Sequence, residues 1–339
     1  MINMMKSAKL WIVVATLGSL CGGAHAASFD CKLAKTAVEK AVCSDKELSA
    51  DDDKLAAAYK AALAAVPADI QVEIRGNERA FVKHVATQCS AGEDGVAQAD
   101  LVNCLKQTYV DQTALLSKWT VQINGTTFVQ RWTTQRLKSS DPQAAALGED
   151  PGYGTLIDFY PQAQSDSPDL ALWNAEVKAK TMAISKLDKN SDSNVMTTLD
   201  AVTPQMVAAT ISLDYDGHGT HPDESSKQLN WLLKEHRTVQ LADIFKPGTN
   251  FAAILEAQCR TGLNANVGAD YEDFLGKPKF ATTLHGIVVS PANWQLSPKG
   301  LTVVFQDYEL ESHAERPENV TVPWSALQAD LNPDFVVPR

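Results

Sequence analysis

Beyond its first two dozen residues the sequence has no apolar run long enough to cross a membrane, which takes roughly 20 residues. It also lacks basic excess: 30 Lys and Arg stand against 41 Asp and Glu, a formal charge of −11. Such a surface repels phosphate backbones, so nucleic acid is excluded as a natural partner. The same field attracts a cationic protein. Aromatics are sparse at 7%, yet 45% hydrophobic residues keep the chain in the globular class. There is no Cys-x-x-Cys pair, nucleophile elbow, phosphate-binding Gly-rich loop or dinucleotide fingerprint. These absences argue against zinc knuckles, α/β-hydrolases, P-loop enzymes and Rossmann dehydrogenases. No internal repeat or low-complexity tract is visible either.

What is present begins at the N-terminus. Lys6 and Lys9 form a positive segment, Leu10 to Leu20 a short apolar core, and Ala24-His25-Ala26 a small-x-small cleavage site. Together they predict a signal peptide over residues 1–26, cleavage after Ala26 and a periplasmic mature protein without stable membrane insertion. Leu20 and Gly18 stand where a lipoprotein signal would carry other residues, which argues against lipidation at Cys21. Cleavage removes Lys6 and Lys9, leaving 28 basic against 41 acidic side chains, a charge of −13.

Five cysteines remain after cleavage: Cys31, Cys43, Cys89, Cys104 and Cys259. In an oxidising compartment the first four read as two disulfides, for which three pairings exist. Cys31–Cys43 and Cys89–Cys104 are favoured because each pair lies close in sequence around an expected helix boundary. Cys259 is expected to be a buried free thiol.

Residues 29–119 read as helical throughout. Thr36 and Glu39 form a capping-box signature for a short helix ending near Cys43. Ser49 is expected to cap a longer helix with Asp51, Asp52 and Asp53 in its first turn. Pro67 ends it and Asp69 is expected to cap the next. From about Val121 strand-like runs take over, at 126–133, 155–160, 205–215, 228–233, 301–305 and 319–322. Helical stretches at 168–185 and 251–263 interrupt them. The expected organisation is multidomain: a signal peptide (1–26), a small disulfide-stapled all-α domain (27–120), and an α+β domain with a mainly antiparallel sheet (121–339).

The most chemically suggestive string is Asp216-Gly217-His218-Gly219-Thr220-His221-Pro222-Asp223. Gly217 to His221 is similar to the histidine motif of subtilisin-like proteases. The matching Asp motif and a nucleophilic Ser motif are missing, so the triad cannot be assembled. As a metal site, His218 and His221 with Asp216, Asp223 and Glu224 offer ligands. A His-x-x-His on a Gly-rich loop, however, lacks the fixed spacing of a helical His-Glu-x-x-His. A turn between two strands is the simpler account. Glu309, Glu311, His313, Glu315 and Glu318 read as a solvated acidic loop. Trp132, Trp173, Trp231, Trp294 and Trp324 can line a binding surface, though core packing explains most tryptophans. No catalytic, metal or cofactor residue is assigned from these patterns.

The helical region resembles the lysozyme inhibitor LprI family. The resemblance is carried by Ser28-Phe29-Asp30-Cys31, Val38-Glu39-Lys40-Ala41-Val42-Cys43, Glu47-Leu48, Leu55 through Tyr59, Cys104-Leu105 and Tyr109. Phe81 departs from a common Trp and Gln112 from a common basic residue. The second region is similar to the domain found in the anti-sigma factor RsiV and beside some polysaccharide deacetylases. Here the matching strings are Phe159-Tyr160-Pro161-Gln162, the Gly217 to Pro222 turn, Leu241 to Gly248, Trp294 to Leu301, and Val322 to Leu327. Both resemblances imply lysozyme as partner. The expected function is a non-enzymatic exported protein that binds or inhibits lysozyme or a related cationic cell-wall hydrolase. The rival expectations are an envelope metal-dependent hydrolase using the His218/His221 loop, and an immunity-like protein against another toxin.

Overall fold

The computed structural model describes residues 27–89, 98–138, 153–186, 191–217, 222–267, 277–306, 309–310 and 318–339. The signal segment, His218, His221, Glu311, His313 and Glu315 lie outside them. Two compact units result, one from residues up to 57 with 85–110, the other from 58–84 with 111–339.

The described residues before β1 are helical and contribute to both units. A 3-10 turn (Cys31–Leu33) precedes α1 (Ala37–Ser44). Thr36 Oγ1 accepts from the Glu39 N–H at 3.1 Å while Glu39 accepts from the Thr36 N–H at 2.8 Å, so the capping box forms as the sequence predicts. These bonds hold the Glu39 carboxyl below its ordinary pKa. The next helix, α2 (Lys46–Ala64), starts earlier than expected. Its first turn is capped by Asp45, whose carboxylate accepts from the Leu48 N–H at 2.8 Å. Ser49 is instead buried inside the helix, and Asp51 to Asp53 fall past the first turn. A better-placed acid four residues upstream outcompetes Ser49 for the cap. Helices α3 (Ala68–Gln88) and α4 (Gln98–Ser117) follow. Asp69 lies inside the first turn of α3 and is not its cap. Disulfides join Cys31 to Cys43 and Cys89 to Cys104. Lys106 donates to Glu47 at 2.6 Å, and the Ser28 N–H donates to Asp52 at 2.7 Å.

The second unit is α+β. Its seven-stranded sheet runs in sequence order: β1 (Thr120–Ile123), β2 (Thr126–Lys138), β3 (Tyr153–Gln164), β4 (Asp192–Val202), β5 (Met206–Asp216), β6 (Asp223–Leu232) and β7 (Arg237–Thr238). Every pairing is antiparallel except β3 with β4, which is parallel. A parallel pair needs a crossover, and α5 (Pro168–Ile184) supplies it. Further on come α6 (Leu241–Ile244), α7 (Phe251–Val267) and α8 (Pro278–Val288). A three-stranded sheet of β8 (Trp294–Ser297), β9 (Gly300–Val303) and β10 (Val320–Val322) precedes α9 (Trp324–Leu327). Gly300 sits at φ +154°, and a Cβ there would meet the Val322 carbonyl oxygen at 2.2 Å, so only glycine fits this turn into β9.

Alternation divides the large sheet into two faces. Leu156, Val195, Ile211, Leu213 and Leu229 lie on one, buried beneath Trp173, Val177 and Ile184 of α5. Two polar contacts are made there: Ser185 donates to the fully buried Asp158 at 2.6 Å, and Thr181 meets Thr197 at 2.9 Å, while Trp173 Nε1 and Ser193 Oγ are buried with no partner among the described residues. On the other face Ala201, Met206, Ala208 and Leu232 join Trp294, Leu301, Val303, Leu255 and Leu263 in a second core. Cys259 belongs to that core as a free buried cysteine, and burial pushes its thiol up to about 12.

Candidate binding groove

The second core covers only part of its sheet face. Across the remainder, strand register sets side chains in three rows. Trp132, Phe159, Met196, Ser212 and Ser226 form one; Thr134, Ile157, Asn194, Asp214 and Glu224 the next; Thr198, Thr210 and Gln228 a third. Residues opposite one another on neighbouring strands share a face, so residues far apart in sequence are assembled there without local signal. The rows floor a cavity of about 610 Å³, closed at one side by Gln295, Phe305, Gln306 and Asn319.

The groove has an apolar end and a polar end. At the apolar end Trp132 stacks on Trp119 and meets Phe159 edge-on, with centroids 5.7 Å apart. Trp119 is fully buried, so this platform is held from below. Met196 lies 52% exposed, unusual for its size and evidence that the floor is uncovered. Within β2, the Trp132 N–H donates to Glu73 of α3 at 3.1 Å, and Glu73 pairs with Arg131. Arg131 also donates to Asp69 at 3.1 Å and Gln162 at 3.0 Å.

At the polar end Thr210 Oγ1 lies 2.7 Å from both Asp200 Oδ2 and Gln228 Oε1, while Gln295 Nε2 donates to Asp200 Oδ1 at 2.6 Å. One hydroxyl proton cannot serve two acceptors. The chain closes when Asp200 is protonated and donates to Thr210, or when the Gln228 amide is turned over. Burial raises the Asp200 carboxyl, against the lowering pull of the Thr210 and Gln295 hydrogen bonds. Gln228 Nε2 is buried without a partner among the described residues.

Of the tryptophans singled out by sequence, only Trp132 lines this groove; Trp173 and Trp294 are fully buried, and Trp231 and Trp324 nearly so. Asp214 and Glu224 face each other across β5 and β6 at the rim. Among the described residues no group of three or more His, Cys, Asp and Glu is placed to hold a metal. The two histidines of the rival hydrolase reading fall outside them. No helix of the described residues is long and apolar enough to cross a membrane.

The fold is thus a disulfide-stapled helical segment followed by an α+β segment, and comparison with known families gives each a counterpart. Residues 31–116 match the family Lysozyme inhibitor LprI, and residues 242–325 match Protein of unknown function (DUF3298). The chain therefore carries an LprI domain followed by a DUF3298 domain. Neither family is described as an enzyme. Two solved structures also match. A DUF3298 family member from Bacteroides fragilis is 14% identical, covers 61% of this chain and 94% of its own, with a TM-score of 0.41. A DUF3298 family protein from Pseudomonas aeruginosa PAO1 is 15% identical, covers 62% and 97%, with a TM-score of 0.44. No curated protein matches the chain.

Proposed function

We propose that this is an exported, non-enzymatic binding protein that captures a lysozyme or a related cationic cell-wall hydrolase and lowers its activity. The observation that carries the reading is the match of residues 31–116 to the lysozyme inhibitor LprI family. The charge balance supports it. With the signal segment removed, 28 basic side chains face 41 acidic ones, and such a field speeds the approach of a basic partner. Export to the periplasm fits the signal-like residues 1–26 and the two disulfides, which persist in oxidising compartments. In this reading residues 27–120 and 121–339 are the two functional domains of the mature protein.

The test is calorimetric titration of the full mature chain with lysozymes of several types, at low and at moderate salt. Surface charges are screened over about 8–10 Å at 0.1–0.15 M, so a specific interface retains binding there through buried contacts. Heat that vanishes at moderate salt for every lysozyme type would reduce the interaction to charge attraction.

A further inference from the structure

We propose that the groove over β2 to β6 is a second binding site, for a short neutral oligosaccharide, separate from any lysozyme interface. Sugar rings present apolar C–H faces and a rim of hydroxyls that both donate and accept. A site for them needs a flat aromatic surface beside amides, hydroxyls and carboxylates in fixed positions. The groove supplies these. Trp132 is half-buried, stacked on the buried Trp119 and braced by Phe159, so one rigid ring system faces the cavity. Rigid aromatic surface costs little side-chain entropy on binding. Met196 extends this apolar floor.

The β4 to β6 end of the same floor is polar. Gln228 Nε2 is buried with no acceptor among the described residues, and turning the amide over only exchanges that unpaired donor for an unpaired carbonyl, so one amide atom is left for a ligand to meet. Asn194, Ser212 and Asp214 line the same cavity, and no partner for their side chains occurs among the described residues. A carboxylate, an amide and a hydroxyl within one cavity suit vicinal hydroxyl groups. Among the described residues no lysine or arginine lines it, and its charged side chains there are the carboxylates of Asp214 and Glu224, which disfavour phosphate, sulfate or other anionic ligands. The cavity's 610 Å³ falls within the roughly 300–1,000 Å³ of small-ligand pockets.

The experiment uses the full mature chain, chitotriose and cellotriose as probes, and trilysine as the cationic competitor class. Tryptophan emission and amide NMR shifts are followed up to about 10 mM ligand, since an affinity of 1 mM is only about −4 kcal/mol. The expected result is saturable binding of at least one trisaccharide, with shifts on Met196, Ser212 and Gln228. Trp132→Ala should weaken it by about tenfold or more, and Gln228→Ala by a smaller factor. Should Trp132→Ala fail to fold, Gln228→Ala with the wild-type shift map decides alone. No saturable shift with either sugar overturns the proposal. So does binding of trilysine without sugar, or sugar binding untouched by both substitutions. Lysozyme titration is scored separately, so loss of one activity leaves the other legible.

Discussion

The indole of Trp132 lies nearly parallel to that of Trp119, with ring centroids 6.3 Å apart and 19° between their planes. One partner is fully buried and the other only half-buried, so equal truncations should have unequal costs. Trp119→Ala should destabilise the second unit by about 3–5 kcal/mol, as for large buried aromatics. Trp132→Ala should cost about 1 kcal/mol, close to an aromatic pair alone. Urea unfolding of the two variants measures the difference.

Glu73 holds β2 through two contacts, with the Arg131 guanidinium and the Trp132 N–H. Both side chains of the ion pair are about four-fifths buried. Glu73→Ala leaves a buried N–H and a buried guanidinium short of a partner and should cost about 1.5–3 kcal/mol. Glu73→Gln keeps an acceptor and should cost less. Equal losses in the two variants would show that the charge alone matters.

Asp200 gives a pH signature. Burial raises its pKa above 3.8, so the folded state holds this proton more tightly than the unfolded state. Its contribution to stability is fully present below the unfolded pKa and is lost as pH rises through the folded one. Asp200→Asn can accept from Gln295 and donate to Thr210 at any pH. The variant should be at least as stable as wild type near about pH 7 and lose its advantage near about pH 4. Denaturant midpoints at the two pH values check the sign; an advantage larger at the lower pH would contradict it.

The cysteines make a chemical prediction. Loops of 12 and 15 residues are closed by the two disulfides, and removing either pair by Cys→Ser substitution should cost about 3 kcal/mol. Cys259, buried and with its thiol pushed up to about 12, should resist a thiol reagent in the native protein and react once unfolded. Rapid labelling of the folded chain would contradict its place in the core.

Local signals were legible and assembled ones were not. The Thr36/Glu39 capping box, the cysteine pairs and the α5 and α7 helices follow from neighbours in sequence, and each forms. Ser49 misled because a capping residue is defined by competition, and Asp45 wins by accepting from Leu48. Strand β4 has no contiguous apolar run, and its alternation shows only once Val195 and Thr197 are seen buried between exposed neighbours. Helix α8 likewise has a weak local start signal, since Lys277 at its N-cap makes no side-chain cap hydrogen bond. The groove had no linear signature at all. Trp132 was noticed as an aromatic, but its neighbours Phe159, Met196 and Ser212 come from three other strands.

The central claim, capture of a lysozyme, is tested most directly by lysis of a cell-wall suspension by a cationic lysozyme in the presence of the full mature chain. At moderate salt, the initial lysis rate should fall in proportion to added protein and approach zero slightly beyond molar equivalence, as tight stoichiometric binding requires. A rate unchanged at about tenfold molar excess, with every lysozyme type tried, would contradict the account.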